Sequence, residues 1–382
     1  MVTNTPQLRV MLTLAASLGL ILLAFLLLPS ESRATEPSLS PKTGSFAGPA
    51  FLLRFDPTIS QFQVITLPVQ FKNPHSLAIV DNGSNQDIWF TDPGANGLGR
   101  LTYTATNDLA TAFYSLPSGS VPVDLIARGE YLWFTAREGN WIGRLEISTT
   151  QIVSFPIPTQ NSMPLSIDIG SDGSIWFTEH NANQLGRLIV TDTMNFSWFE
   201  YSLPFTGSRP SGLAVVPIPG ADRIWFSSTS QTQSRVALMN LAVQPPNNFF
   251  TVVTFSEATD PSYPLNLVHD QDNMWFTELL GNRLGKIHIA TLVIPVFFNV
   301  PTANSQPYDI IVAKGDVWFT ERLGERLGYL EKNANTPIEY LVPAYLSPIW
   351  LQGVAVDQQD KIWLAGFPPV RSYLPAIFKG GS

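Results

Sequence analysis

The chain of 382 residues contains no cysteine, which excludes a disulfide scaffold and any zinc or iron–sulfur site built on thiolates. Charged residues are scarce at 14% of the chain, whereas 45% is hydrophobic and 12% is aromatic. Such a composition can bury a large apolar core, so disorder is excluded as the dominant state. A basic excess is also lacking, because 30 Asp and Glu against 22 Lys and Arg give a net charge of -8. This balance argues against nucleic acid as a partner.

The local signatures of several enzyme classes are absent as well. The sequence has no His-Glu-x-x-His zinc motif, phosphate-binding loop, dinucleotide fingerprint or nucleophile elbow. His269 and His288 fall inside predicted strands and have no partner by spacing. Asp172-Gly173 and Asp360 resemble fragments of calcium loops, but ordinary turn chemistry explains them. Function therefore has to be sought in the organisation of the whole chain.

The first 28 residues have the character of a targeting segment. Residues 10–28 form an uncharged apolar run of 19 residues behind Arg9. A cleavable signal has an apolar core of about 7–15 residues, and a membrane-spanning helix needs about 20. We predict a signal anchor with the rest of the chain outside the cytoplasm, and cleavage near Ala34 is the alternative. Residues 29–50, rich in Pro, Ser and Thr, are predicted to be a tether.

A tryptophan-centred repeat fills residues 51–382. Seven of the ten tryptophans are spaced 44, 43, 49, 50, 43 and 45 residues apart, namely Trp89, Trp133, Trp176, Trp225, Trp275, Trp318 and Trp363. In six copies a proline precedes the short apolar stretch before the Trp-Phe segment, and most copies continue with a Leu-Gly-Arg-like stretch and a Leu-Pro or Ile-Pro pair. Four short strands at this period are typical of a propeller blade. We predict an all-β, seven-bladed β-propeller of four-stranded antiparallel blades.

The two ends of the repeat region predict how the ring closes. Residues 52–55 match the third strand of a blade, and Pro68 lies 14 residues after Arg54, as Pro158 lies 14 after Arg144. We expect this N-terminal segment to complete the last blade, around Trp363, and thereby to cover its edge strands. Residues 376–379 are the competing candidate for that third strand.

The pattern Pro-x-x-Ile, Trp-Phe-Thr-Glu and Asn-x-Leu-Gly-Arg resembles the streptogramin B lyase (virginiamycin B lyase) family, over residues 51 to about 367. The resemblance implies opening of cyclic depsipeptides by elimination across an ester, with a base and a magnesium ion. It also implies that two histidines and two glutamates of the last two blades supply the chemistry. At those positions this sequence has Tyr308, Gln352, Trp350 and Gly366. The family mechanism is therefore not expected here.

Propeller topology places the prolines and the Trp-Phe-Thr-Glu ends on one face, around the mouth of the channel. His75 is the only histidine after a blade proline and the first candidate for chemistry, with Tyr308 second. Arg137, His180 and Arg322 lie nearby. The predicted ligand-binding rim comprises His75, Tyr308, Trp350, Gln352, Glu179, Glu278, Glu321 and Asp92. For the repeated acids, hydrogen bonds to the backbone or ion pairs within the repeat are the structural alternative.

Preserved repeats with altered catalytic positions lead us to expect an exported, membrane-tethered or secreted monomer that binds a small molecule or a protein. A second hypothesis is a magnesium-dependent lyase acting on a cyclic depsipeptide, a lactone or a polyuronate-like substrate. In it Tyr308 or His75 is the base and rim carboxylates hold the metal. A third is a purely structural envelope protein. The fourth repeat has Ser227-Ser228 in place of Thr-Glu and longer connections at residues 217–222 and 244–248. These differences indicate either a contact with a partner or sequence drift.

Overall fold

A computed structural model describes residues 48–83, 85–104, 109–192, 195–205, 207–229, 234–241, 250–254, 262–292 and 295–369. The predicted apolar helix of residues 10–28, most of the tether, the cleavage site near Ala34 and the alternative strand at residues 376–379 lie outside these residues. Within the described ranges, no helix is long and apolar enough to cross a membrane.

Seven antiparallel sheets of four strands each confirm the predicted blades. The strands β1 (Phe51–Asp56) and β2 (Gln61–Thr66) precede blade 1, which holds β3 (Leu77–Asp81), β4 (Asn85–Asp92), β5 (Gly97–Thr104) and β6 (Leu109–Ser115). Blade 2 holds β7 (Pro122–Arg128), β8 (Tyr131–Ala136), β9 (Trp141–Glu146) and β10 (Ile152–Pro156), and blade 3 holds β11 (Pro164–Ile169), β12 (Ile175–Glu179), β13 (Gln184–Val190) and β14 (Phe196–Ser202).

Blade 4 holds β15 (Pro210–Ile218), β16 (Ala221–Thr229), β17 (Ser234–Asn240) and β18 (Phe250–Thr254), and blade 5 holds β19 (Pro264–His269), β20 (Asn273–Glu278), β21 (Arg283–His288) and β22 (Val296–Asn299). Blade 6 holds β23 (Pro307–Ala313), β24 (Asp316–Glu321), β25 (Arg326–Leu330) and β26 (Ile338–Leu341). A 3-10 turn, Ala344–Leu346, leads to β27 (Trp350–Val356) and β28 (Ile362–Phe367) of blade 7. The first strands of the seven blades pack against one another in a closed ring.

The ring closes through the N-terminal strands, as predicted. Blade 7 has the order β2-β1-β28-β27, so β1 occupies the place of the third strand. Leu53 pairs with Leu364, and the Arg54 guanidinium lies 5.8 Å from the Trp363 ring centre. Arg144 lies in the same way 5.6 Å from the Trp133 ring centre within blade 2. Closure by both ends of the fold leaves β28 with a partner on each side.

The Trp-Phe pair explains the Leu-Gly-Arg stretch that follows it. In blade 3, the Phe177 ring lies over Gly186 so closely that a Cβ atom there would overlap the ring. The next residue, Arg187, lies with its guanidinium 5.2 Å from the centre of the fully buried Trp176 ring. Glycine therefore admits the phenylalanine, and the arginine covers the tryptophan by a cation–π contact.

In six of the seven blades, a hydroxyl on the second strand links the blade to the next one. In blade 3, Thr178 Oγ1 donates to the Ser211 carbonyl of blade 4 (3.0 Å) and accepts the Ser166 N–H (3.0 Å). The equivalent pair of bonds is made by Thr91, Thr135, Ser227, Thr277 and Thr320. Blade 7 has Ala365 at this position, and there the Gly353 N–H donates directly to the His75 carbonyl (2.7 Å). These links fix the first residues of the inner strands.

The divergent fourth blade keeps the same architecture. Residues 217–222, which the sequence suggested as a longer connection, extend the β15–β16 hairpin, with Pro217 paired to Asp222. Both strands consequently reach nine residues. Ser227 replaces threonine in the link to the next blade, and Ala237 replaces glycine opposite Phe226. Residues 244–248 lie outside the described part of the chain.

Candidate functional site at the channel mouth

Two rings of residues, which we call the mouth, close the proline end of the channel. The first ring follows the prolines of six blades and, in blade 7, Leu351 at the equivalent position. It contains His75, Val123, Leu165, Ser211, Leu265, Tyr308 and Gln352, all buried. The second ring lies at the ends of the second strands, either as the last strand residue or as the residue after it. It contains Pro93, Arg137, His180, Thr229, Leu279, Arg322 and Phe367, also buried. Neither ring contains an acidic residue.

His75 and Tyr308 meet across the mouth, although 233 positions separate them in the sequence. His75 Nε2 lies 3.0 Å from the Tyr308 hydroxyl, and His75 Nδ1 lies 3.0 Å from the Val123 carbonyl. A carbonyl oxygen only accepts, so Nδ1 carries the proton and donates to Val123. In the neutral ring Nε2 then accepts the Tyr308 O–H.

Burial holds both members of this pair in their neutral forms. The pKa of His75 falls to about 3, chiefly because burial disfavours the imidazolium, with a further contribution from the charges of Arg322 and Arg137. Burial also raises the pKa of Tyr308 to about 12, against a smaller opposing effect of Arg322. Proton transfer between the two is therefore unfavourable near neutral pH.

The Arg322 guanidinium lies over the rings of both Tyr308 and Trp350. The Arg322 Cζ atom lies 5.4 Å from the Tyr308 ring centre and 4.5 Å from that of Trp350. Trp350, which the sequence placed on the rim, also packs edge-on against Phe367 at 5.9 Å between ring centres. The mouth thus combines two cations, Arg322 and Arg137, with aromatic and aliphatic walls.

Gln352, another predicted rim residue, lies between His75 and Tyr308 in blade order. Its backbone carbonyl accepts the Thr320 hydroxyl (2.6 Å), and its side chain is buried. Gln352 Oε1 has no hydrogen-bond partner among the residues that the structure describes. A buried carbonyl group of this kind offers an acceptor to a ligand, but it cannot serve as a base.

The four predicted rim acids are fully buried and differ in their partners. Asp92 accepts the N–H groups of Lys72 (2.8 Å), Asn73 (2.9 Å) and Ala95 (2.9 Å), and thereby holds a loop. Glu278 forms an ion pair with Arg283 of the neighbouring strand. For Asp92 and Glu278 the structure thus supports the structural alternative, in which the repeated acids form hydrogen bonds to the backbone or ion pairs within the repeat.

Glu179 and Glu321 have neither kind of partner: the described residues provide them with no ion pair and no backbone N–H. Burial, and then the charge of Glu200, raises the pKa of Glu179 to about 8. Burial, and then the charge of Glu339, raises the pKa of Glu321 to about 8. A Cβ atom added at Gly324 would lie only 2.5 Å from Glu321 Oε2. The acids therefore lie beneath loops and are shielded from a ligand at the mouth.

The residues present do not fit the magnesium ion that the sequence resemblance implies. Tyr308 is a neutral phenol, Gln352 offers a single amide oxygen and Trp350 offers no oxygen. At Gly366 a Cβ atom would lie 2.7 Å from Phe51 Cε2, so a glutamate there would displace that ring. Across the described ranges, no group of three or more His, Asp or Glu residues is placed to hold a metal.

The sequence missed a layer of acids behind the first ring. Asp124 Oδ1 accepts the Ser76 hydroxyl (2.7 Å), and Asp309 Oδ2 accepts the Val354 N–H (2.8 Å) of the next blade. Burial raises the pKa of Asp309 to about 7. Their signal was the second residue after the blade proline, or after Leu351 in the last repeat, which is polar or glycine in all seven repeats. They brace neighbouring inner strands directly behind the mouth.

Comparison with known families decides the relationship. Residues 62–367 match the model of the virginiamycin B lyase family. The chain belongs to this family. A streptogramin B lyase structure is similar at 23% identity, with 83% of this chain and 97% of that one covered and a TM-score of 0.64. No functionally curated protein matches the sequence.

Two further structures are similar to this member of the virginiamycin B lyase family. The virginiamycin B lyase of Staphylococcus aureus shares 26% identity over 78% of this chain and 96% of that one, with a TM-score of 0.62. A catalytically inactive variant of the S. aureus enzyme, crystallised with quinupristin, shares 26% identity over 83% and 99%, with a TM-score of 0.64. The family resemblance inferred from the repeat is thereby confirmed.

Proposed function

We propose that this protein is a ligand-binding member of the virginiamycin B lyase family that does not carry out elimination. One observation carries the proposal: the two candidates for proton transfer at the mouth, His75 and Tyr308, are bonded to each other and neutral. The proposed site is the mouth, with Arg322, Trp350 and Gln352 beside this pair.

Elimination needs a base with a pKa near the working pH. An imidazole with a pKa of about 3 is a weak base, and its free lone pair already accepts the Tyr308 hydroxyl. A phenol with a pKa of about 12 is a weak acid. Gln352 cannot accept a proton at all, and Arg322 stays charged. The mouth therefore lacks a group that is suited to remove an α proton.

Binding needs apolar contact and a few oriented polar groups, and the residues of the mouth include both. Leu165, Leu265 and Trp350 provide apolar surface, whereas Arg322 and the unsatisfied Gln352 Oε1 provide polar contacts. Quinupristin is the first ligand to test, because a similar protein was crystallised with it.

The decisive test is incubation of the protein with quinupristin and magnesium, followed by chromatography and mass spectrometry. Elimination opens a ring without adding water, so its product has an unchanged mass and a new retention time. We expect the retention time to remain that of the starting compound. Magnesium-dependent ring opening that His75→Ala abolishes would overturn the proposal, and it would favour the lyase alternative.

The proposal includes export, with the propeller outside the cytoplasm. It is supported by the uncharged run of residues 10–28 and by the Pro-, Ser- and Thr-rich residues that follow. Cell fractionation tests this part separately. We expect the full chain in the membrane fraction, released by detergent and retained in high salt, and recovery from the cytosol would contradict it.

A further inference from the structure

The side chain of Arg322 is the least satisfied charged group of the mouth. It is only 9% exposed, and it forms no ion pair with any described residue. Its Nε atom is buried and has no hydrogen-bond partner in the described part of the chain. Burial lowers the pKa of Arg322, but guanidinium groups stay charged in proteins. A buried cation without a counter-ion is costly, so its retention points to a charge supplied from outside.

Among the described residues, none provides Arg322 with an anionic partner. The other mouth cation, Arg137, is paired with the half-exposed Glu138. The carboxyl groups of Asp124 and Asp309 accept hydroxyl or backbone hydrogens behind the first ring, and neither forms an ion pair with Arg322. A chain with a net charge of -8 thus presents a locally positive mouth.

We propose that the mouth binds the carboxylate group of an organic ligand through Arg322, with the apolar body of the ligand against Trp350 and the aliphatic residues of the first ring. This inference rests on the proposed function and adds the chemical class of the ligand. A guanidinium matches a carboxylate with two parallel hydrogen bonds, and Tyr308 and Trp350 hold the Arg322 group from its sides.

The rest of the mouth favours a single negative charge on an apolar molecule over a polyphosphate. Only Arg322 lacks a carboxylate partner, because Arg137 is already paired. Val123, Leu165, Leu265 and Leu279 offer no hydrogen-bond donors from their side chains. A ligand with several negative charges would leave most of them without a partner in a desolvated site.

Sodium benzoate and its neutral analogue benzamide are the test pair, measured by calorimetry and by thermal unfolding at matched ionic strength. We expect benzoate to bind at least about tenfold more tightly than benzamide, as charge-assisted hydrogen bonds predict. Arg322→Met should remove this difference. Lys314→Met is the matched control, because it removes one positive charge from an exposed turn at the opposite end of blade 6.

Equal binding of benzoate and benzamide by the wild-type protein, including no binding of either, overturns the inference. So does a benzoate preference that persists in Arg322→Met. Unfolding without ligand provides a second criterion: relief of an unpaired buried charge predicts that Arg322→Met does not lower the melting temperature, whereas a purely structural arginine predicts that it does. Quinupristin turnover tests the proposed function independently, so the two failures are distinguishable.

Discussion

Glu179 and Glu321 show how one motif position acquires different chemistry in different blades. Each lies near a second glutamate of its own fourth strand, and that partner is held by a threonine. Glu339 accepts the Thr302 N–H and hydroxyl, both at 2.7 Å, and Glu200 accepts the same groups of Thr159 at 3.0 Å. A second carboxyl group nearby favours retention of a proton, and in blade 6 the cation Arg326, 3.4 Å from Glu339 Oε2, opposes this effect only in part.

This arrangement predicts an unusual pH dependence of stability. The pKa of Glu321 in the folded protein, about 8, lies above its ordinary value of 4.5, so the folded state binds this proton more tightly than the unfolded state. Stability is therefore lost as the pH rises from about 4.5 to about 8. Glu321→Gln should reduce the loss between pH 6 and pH 8.5 by about 2 kcal/mol, measured by urea unfolding at both pH values.

Glu278→Gln is the matched control for this prediction. Glu278 occupies the same motif position in blade 5 but is paired with Arg283, so its replacement should destabilise the protein at both pH values. A pH profile of Glu321→Gln identical to that of the wild type would show that Glu321 is already ionised at pH 6.

The sequence predicted these acids at the rim but could not predict which way they point. Side chains alternate along a strand, so the threonine that reaches the next blade directs the following glutamate to the opposite side. Thr178 makes such a link, and Glu179 is consequently fully buried. Their burial depends on loops from other parts of the repeat, which local spacing does not reveal.

At the scale of the strand, the third strand of a blade is adapted to the aromatic ring of the second. Gly99, Gly143, Gly186, Gly285 and Gly328 each lie against a phenylalanine of the Trp-Phe pair. Blade 4 has Ala237 opposite Phe226, and blade 7 has Leu53 opposite Leu364. Glycine thus accompanies the phenylalanine in five blades, blade 7 lacks both, and blade 4 keeps Phe226 beside an alanine.

Gly186→Ala tests this packing rule. The added methyl group would overlap the Phe177 ring, which is fully buried, so we expect a loss of about 1–3 kcal/mol in the free energy of unfolding. Ala237→Gly makes the reverse change in blade 4 and should cost only about 0.5–1 kcal/mol. A loss from Gly186→Ala no larger than that of the control would refute the rule; chemical denaturation measures both.

The blades themselves were predictable because each strand repeats a local pattern. The Trp-Phe segment, the glycine behind it and the covering arginine lie within one blade, as Trp176, Gly186 and Arg187 illustrate. The third strand of blade 7 was also predictable, because residues 52–55 keep the pattern although they lie far from Trp363 in the chain.

At the scale of the whole molecule, closure of the ring places blade 1 next to blade 7, so that only blade 7 separates blade 1 from blade 6. This neighbourhood brings His75 to Tyr308, and the Gly353 N–H to the His75 carbonyl. No spacing within a repeat encodes these contacts, because one residue of each pair belongs to the first repeat of the chain and the other to one of the last two. The repeat predicted a shared face for the site residues but not their pairing.

Removal of β1 and β2 should therefore destabilise blade 7, whose other strands lie far from the deleted segment in the sequence. A chain that begins at residue 68 leaves β28 paired only with β27, and it uncovers the buried Leu364 and Trp363. We expect a loss of the cooperative thermal transition and association of the chains through the open edge. A chain that begins at residue 48 keeps β1 and should unfold like the wild type; size-exclusion chromatography and calorimetry compare them.

The most direct test of the account is the protonation of His75, measured by nitrogen-15 NMR of histidine-labelled protein between pH 4 and pH 9. The spectrum of His75→Gln identifies the resonance among the four histidines. We predict a neutral ring with the proton on Nδ1 throughout pH 5 to 9, consistent with a pKa of about 3. A ring that titrates between pH 6 and pH 8 would place a competent base at the mouth and contradict the account of binding without elimination.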